Sequence, residues 1–296
     1  METVLARVQT IAGKLPWNDK AGRVAPLKAT TLVLVALPML WLLYRAFFLG
    51  LGARPITEAI HRVGDWTIYF LLITLAVTPA RRLLDWPKLI QIRRILGLSA
   101  LAYILVHFTL FVVDSKLDLA FVAKEIVLRV YLAIGFTALL GLIALGLTST
   151  DGMIRRLGGV GWNRLHRLVY AIGFLGILHY YMQSKADVSQ PAIMSGFFFW
   201  LMGYRLMARY GYKDGLVPLL ALSVAAALLT VIAEAAWYGL MTGVGASRVL
   251  LANLGFGFGI RPAWWVLAAG LSVTLVSELR RRVRPAGAGR RATAPA

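Results

Sequence analysis

The sequence predicts an all-α integral membrane protein with eight transmembrane helices, and three observations carry the prediction. Of its 296 residues, 59% are hydrophobic and only 15% are charged, with a mean hydropathy of +0.72. Several apolar runs reach about 18 residues, enough to cross a hydrocarbon core about 30 Å thick as helices. Lys and Arg are also unevenly shared between alternate connecting segments, as the positive-inside rule expects of a multi-pass chain. Open sheets are excluded because lipid offers no partner to unpaired backbone groups. The runs also lack the polar and apolar alternation of a membrane β-barrel.

The spans fall near 29–48, 58–80, 95–113, 127–147, 165–183, 191–207, 215–240 and 262–278. Residues 1–28 precede them and are interrupted by Lys14, Pro16, Trp17, Asn18, Asp19 and Lys20, too polar for the core of a secretory signal. The second span opens at His61, and the third at Arg93 and Arg94. The fifth opens beside His166, and the seventh carries Glu234 and Trp237. NLGFGFGI, 253–260, reads as a short irregular connection between the last two spans, and the basic tail 279–296 as disordered.

Assigning each of the 32 Lys and Arg to its connecting segment puts 23 on one side and 9 on the other. Both termini are therefore expected to be cytoplasmic. The net charge of +19 is topological, with the tail near anionic membrane lipids, and no nucleic-acid partner is implied. The absence of cysteine removes disulfides and thiolate metal sites, so any metal is held by His or oxygen. No strand, Gly-rich turn and helix form a nicotinamide site, so a redox role requires electrons from another molecule.

Four histidines are present: His61, His107, His166 and His179. The topology puts His107 and His179 in the outer halves of the third and fifth spans, with His61 at the outer end of the second. His166 lies at the inner level with Arg93 and Arg94. Imidazoles at membrane depth are rare and usually paired, and haem held between facing helices is a common reason for them. Haem b suits such a site, since it needs two neutral imidazoles, apolar walls and no cysteine. His166 and His179 are 13 residues apart. That separation is about 20 Å of rise and leaves them roughly 140° apart on an ideal helix. Either the helix starts or bends near His166, or that residue serves a different purpose from His179. A hydrogen bond across a helix interface and a proton relay are the other uses such histidines have. Tyr103, Phe108, Tyr170, Tyr180 and Tyr181 suit a porphyrin wall or an ordinary core equally, and receive no individual role.

Four stretches narrow these readings: HRVGDWTIYFLLITLAVTPARRL at 61–83, IRRILGLSALAYILVHFTL at 92–110, LTSTDGMIRRLGG at 147–159 and WNRLHRLVYAIGFLGILHY at 162–180. Together they resemble the MsrQ family, formerly YedZ, of the ferric reductase-like transmembrane superfamily. The resemblance covers about residues 30–210. It implies a six-helix core at 29–212 with two additional C-terminal transmembrane helices at 213–278. It also implies a bacterial inner-membrane location, b-type haem, and FMN as a further cofactor. His107, His166 and His179 fall at the family's characteristic histidines, as haem and metal ligands. Arg93 and Arg94 match its RR-x-LGL motif, and His61 a family position in HxxG.

The function implied is that of a non-catalytic electron-transfer subunit. The quinone pool or a flavin reductase would supply electrons near Arg93, Arg94 and His166. They would leave through haem for a periplasmic molybdopterin-containing methionine sulfoxide reductase, MsrP, which repairs oxidised proteins. A quinone site is a further expectation. The alternatives are a ferric or other metal reductase of the same superfamily and a transporter that relays protons through its histidines. Arg93 and Arg94 serve equally as positive-inside anchors or as a fork for a propionate, phosphate or quinone oxygen.

Overall fold

The computed structural model describes residues 15–283 except 20, 185, 186, 213 and 258. The basic tail from 284 and the first 14 residues therefore lie outside the described residues. Among the described residues the chain is helical, with one isolated bridge between Asn18 and Val24 in place of any sheet. Its helices are α1 (Pro26–Tyr44), α2 (Pro55–Leu83), α3 (Arg93–Asp114), α4 (Leu119–Leu128), α5 (Val130–Leu147), α6 (Asp151–His166), α7 (Leu168–Gln183), α8 (Ser189–Arg209), α9 (Leu216–Met241), α10 (Ala246–Leu254) and α11 (Pro262–Val283).

Six stretches are long and apolar enough to cross a membrane: Pro26–Leu49, Pro55–Leu83, Pro87–Asp114, Val130–Leu147, Leu216–Met241 and Pro262–Val283. The chain is thus a multi-pass membrane protein. Of the two remaining expected spans, α7 has 16 residues, or about 24 Å of helix. The other, α8, has 21 residues but does not reach the same apolarity. Large apolar side chains stand outward along the spans, among them Leu34, Leu37 and Trp41 on α1 and Leu228 and Ile232 on α9. Water would penalise such a coat, whereas lipid accepts it.

The described residues divide into two compact units, one of residues 15–78 with Lys88–Gln183, the other of Pro79–Pro87 with 184–283. The sixth expected span, 191–207, is expected from sequence to belong with the core, but α8 packs in the second unit with α9 and α11.

In the first unit α1 and α5 pack on α3, and α4 and α7 pack on α5. Pro38 interrupts α1, and the ladder is mended from the neighbouring helix. The Tyr103 hydroxyl donates to the Val35 carbonyl at 2.8 Å and accepts from the Met39 N–H at 3.0 Å. Tyr103 thereby gains a structural role that its sequence position did not disclose. After α3 the chain turns through Lys116 and Leu117, both at positive φ, and Asp118 caps α4 by accepting from Phe121 N–H at 2.9 Å.

The connection at 148–164 is itself helical. Thr150 caps α6 by accepting from the Met153 N–H, and Gly158, at φ 69°, breaks the helix partway. A second break at Arg167 separates α6 from α7. His166 therefore ends one helix and His179 belongs to the next.

In the second unit α8, α9 and α11 pack together around Trp200, Ser223 and Gly270, and α10 lies against α9. The stretch expected to be an irregular connection begins inside α10, whose last two residues are Asn253 and Leu254. Beyond the expected limit at 278, α11 continues to Val283, five residues into the segment read as tail.

Candidate functional site

The structure brings two of the four histidines together. The His107 ring on α3 and the His179 ring on α7 have centroids 6.4 Å apart and planes at 88°. Each is held from behind by the backbone of another helix. His107 Nδ1 lies 2.8 Å from the Ile60 carbonyl of α2, and His179 Nδ1 lies 2.8 Å from the Tyr131 carbonyl of α5. A carbonyl can only accept, so both rings carry their proton on Nδ1 and keep the Nε2 lone pair. That is the tautomer a metal-ligating imidazole needs, with the partner carbonyl fixing ring orientation.

The donor set selects among metals. Among the described residues no three or more His, Cys, Asp or Glu side chains gather as a bare-ion site requires. Two neutral imidazoles suit an iron whose remaining ligands come from a porphyrin. Two metal–nitrogen bonds of about 2 Å, plus about 1 Å from each nitrogen to its ring centre, put the centroids of opposed imidazoles about 6 Å apart. The observed separation fits haem iron between the rings.

Thirteen residues before His107 on the same helix, Arg94 lies about 20 Å away along the axis. There a cavity of about 320 Å³ is walled by Leu71, Leu75, Leu142, Leu145 and Val169, with Arg93, Arg94, Ser149, Trp162 and His166 supplying its polar groups. Its size and mixed lining are those of a small-ligand pocket. The indole of Trp162 stacks on the His166 ring at 3.8 Å and donates to the Thr148 carbonyl at 2.9 Å. Arg94 pairs with Asp151 at 2.8 Å, on the α6 segment that ends at His166.

His166 differs from the His107–His179 pair. Its Nε2 lies 3.2 Å from Thr148 Oγ1, whose own hydroxyl proton is directed to the Ala144 and Leu145 carbonyls. The contact ties the imidazole to the end of α5 through a hydroxyl, not through a backbone carbonyl. His61 is exposed beside Ile60 and stands outside the outer pair.

Sequence reasoning missed the carbonyls of Ile60 and Tyr131, and with them Gly64 and Gly135, which lie against the two rings. A glycine four residues after the accepting residue is the only sequence signal, and it is visible only once the partner helix is known.

The family model for the ferric reductase like transmembrane component matches residues 63–177, which include Arg93, Arg94, His107 and His166. A protein-methionine-sulfoxide reductase heme-binding subunit MsrQ from Rhodospirillum rubrum is 42% identical over 193 residues, covering 64% of this chain and 89% of that protein. The chain belongs to the MsrQ family. Another MsrQ of the same description, from Herminiimonas arsenicoxydans, is 50% identical over 146 residues, 48% of this chain and 67% of that protein. The MsrQ of Caulobacter vibrioides is 41% identical over 170 residues, 57% of this chain and 81% of that protein. No solved structure matches the chain. The shared MsrQ length leaves over a third of this chain unmatched in its Rhodospirillum relative.

Proposed function

We propose that this chain is the membrane electron-transfer subunit of a methionine sulfoxide reductase, with b-type haem held between His107 and His179. In this reading both termini face the cytoplasm across a bacterial inner membrane. Electrons enter at the inner cavity from the quinone pool or a flavin donor. They leave at the outer level for a periplasmic molybdopterin-containing, MsrP-like subunit, where sulfoxide is reduced in oxidised proteins. The observation that carries the reading is the outer pair: two imidazoles, each with Nδ1–H on a backbone carbonyl, at 6.4 Å.

Bound haem supplies one-electron chemistry that no side chain here offers. The residues hold and insulate it. His107 and His179 present Nε2 lone pairs, while Ile60 and Tyr131 keep both rings neutral and oriented. At the inner level Arg93 and Arg94 supply positive charge for a quinone oxygen, a propionate or an FMN phosphate. His166, backed by Thr148 and Trp162, would hold a second cofactor or exchange a proton as a quinol is oxidised.

Absorption spectra of the detergent-purified protein, oxidised and dithionite-reduced, with extraction of haem and flavin, test the proposal. The expected result is a six-coordinate b-haem spectrum that transfers electrons to a molybdopterin partner. A protein that stays colourless after expression with haem precursor leaves the proton-relay transporter as the better reading. The family model's ferric reductase description supports a second redox reading, in which a soluble metal chelate is the acceptor at the same outer site. Rapid oxidation of the reduced protein by ferric chelate, with none by the sulfoxide reductase partner, would select it.

A further inference from the structure

We propose that Gly64 and Gly135 are positioning residues that set the mutual angle of the two axial imidazoles, and through it the electronic character of the outer haem. The proposal rests on haem ligation by His107 and His179 and assigns a role to residues that touch neither iron nor substrate.

The two imidazoles are seated in the same way on different helices. On α2 the accepting carbonyl is Ile60 and the residue one turn later is Gly64; on α5 they are Tyr131 and Gly135. Residues four apart lie on the same helix face, so the glycine leaves a notch beside the accepting carbonyl. A β-carbon added to Gly64 would lie 3.0 Å from His107 Nδ1 and 3.1 Å from its Cε1. A β-carbon added to Gly135 would lie 2.7 Å from His179 Nδ1, 2.9 Å from Cε1 and 3.1 Å from Cγ. Each ring is thus held at Nδ1 by a hydrogen bond and steered by a flat glycine surface, which fixes its rotation as well as its position.

The two notches belong to different helices, and the planes they impose stand at 88°. Ligand-plane angle matters to low-spin ferric iron. Perpendicular imidazoles donate into two d orbitals alike and keep them close in energy, which gives a strongly anisotropic electron paramagnetic resonance signal. Parallel planes split those orbitals and give an ordinary rhombic signal, with a different midpoint potential. Orientation of the axial ligands is one of the means by which a protein tunes bound haem.

The test compares Gly64→Ala, Gly135→Ala and Gly141→Ala in the full-length, haem-loaded protein, by electron paramagnetic resonance and redox titration. Gly141 is the control: it lies on α5, and its added β-carbon would meet Ile172 at 2.8 Å without touching a histidine. The expected result is a shift of the low-field signal toward the rhombic position and a change of midpoint potential. The shift should be larger in Gly135→Ala than in Gly64→Ala, and Gly141→Ala should keep both wild-type values. Wild-type signals and potentials in haem-loaded Gly64→Ala and Gly135→Ala overturn the proposal. So does an equal shift in all three, which would trace the signal to general packing. If Gly135→Ala fails to accumulate, the milder Gly64→Ala decides alone. Wild-type protein without haem overturns the reading of the histidine pair itself, a failure distinct from that of the notches.

Discussion

His166 and His179 lie 13 residues apart on consecutive helices and meet different kinds of partner, a hydroxyl for His166 and a backbone carbonyl for His179. The Tyr131 carbonyl places the proton of His179 on Nδ1, and the Thr148 hydroxyl lies 3.2 Å from His166 Nε2. The helix break at Arg167 lets the two rings obey separate local demands. The inner and outer levels are therefore different kinds of site, and substitutions should separate them.

At the outer level, His107→Ala and His179→Ala are each expected to lower haem content at least tenfold. Under the proposed function each substitution would remove one of the two imidazoles that would hold the haem. His61→Ala and Arg94→Ala should retain the outer haem. Haem quantified after extraction, per mole of protein, provides the check, and normal content in either of the first two variants would falsify the pairing.

At the inner level, Thr148→Val removes the hydroxyl that meets His166 while keeping side-chain volume. A hydrogen bond of this kind contributes about 1 kcal/mol, so electron entry should slow about fivefold. Outer haem content and spectrum should stay unchanged. Stopped-flow reduction by a quinol or reduced flavin measures the rate, and a wild-type rate would mean that the bond does not govern entry.

Tyr103→Phe deletes the hydroxyl that mends α1 at Pro38 and strands the Met39 N–H and the Val35 carbonyl. The expected loss of stability is about 1–3 kcal/mol. Thermal unfolding in detergent should register a lower midpoint, and an unchanged midpoint would show that the kinked ladder repairs itself.

In the second unit, Glu234 of α9 is fully buried and joined to Arg261 and Asn253, with Asn253 Nδ2 donating at 2.9 Å. Glu234→Ala leaves the Arg261 guanidinium without its carboxylate and should cost about 3–5 kcal/mol. Glu234→Leu combined with Arg261→Met should recover much of that loss, because paired charges can be replaced together more cheaply than one can be removed. Denaturation of the single and double variants tests this, and equal losses in both would show that the pair is not coupled.

Much of the fold was legible because lipid enforces a simple rule. A run of apolar residues long enough to cross must be helical, and six stretches meet that length and apolarity. The break at Arg167 was foreseen as one of two alternatives, from the angular mismatch of His166 and His179. The helical character of α6 was not foreseen, because its polar, glycine-interrupted sequence resembles a loop. The outer pair was visible as two imidazoles at matching depth. Its support was not, since Ile60 and Tyr131 contribute carbonyls that every residue possesses. Tyr103 was indistinguishable from other aromatics because its value lies in a proline on another helix.

The Glu234–Arg261 pair also bears on how the chain is made. The two residues are 27 positions apart, about one to five seconds of synthesis. During that interval α9 presents an acid to lipid with its partner not yet formed, a costly state for a lone span. The carboxylate gains its guanidinium only when the start of α11 emerges. The last two membrane helices should therefore enter the bilayer as a coupled hairpin, with α9 waiting at the insertion machinery until Arg261 arrives.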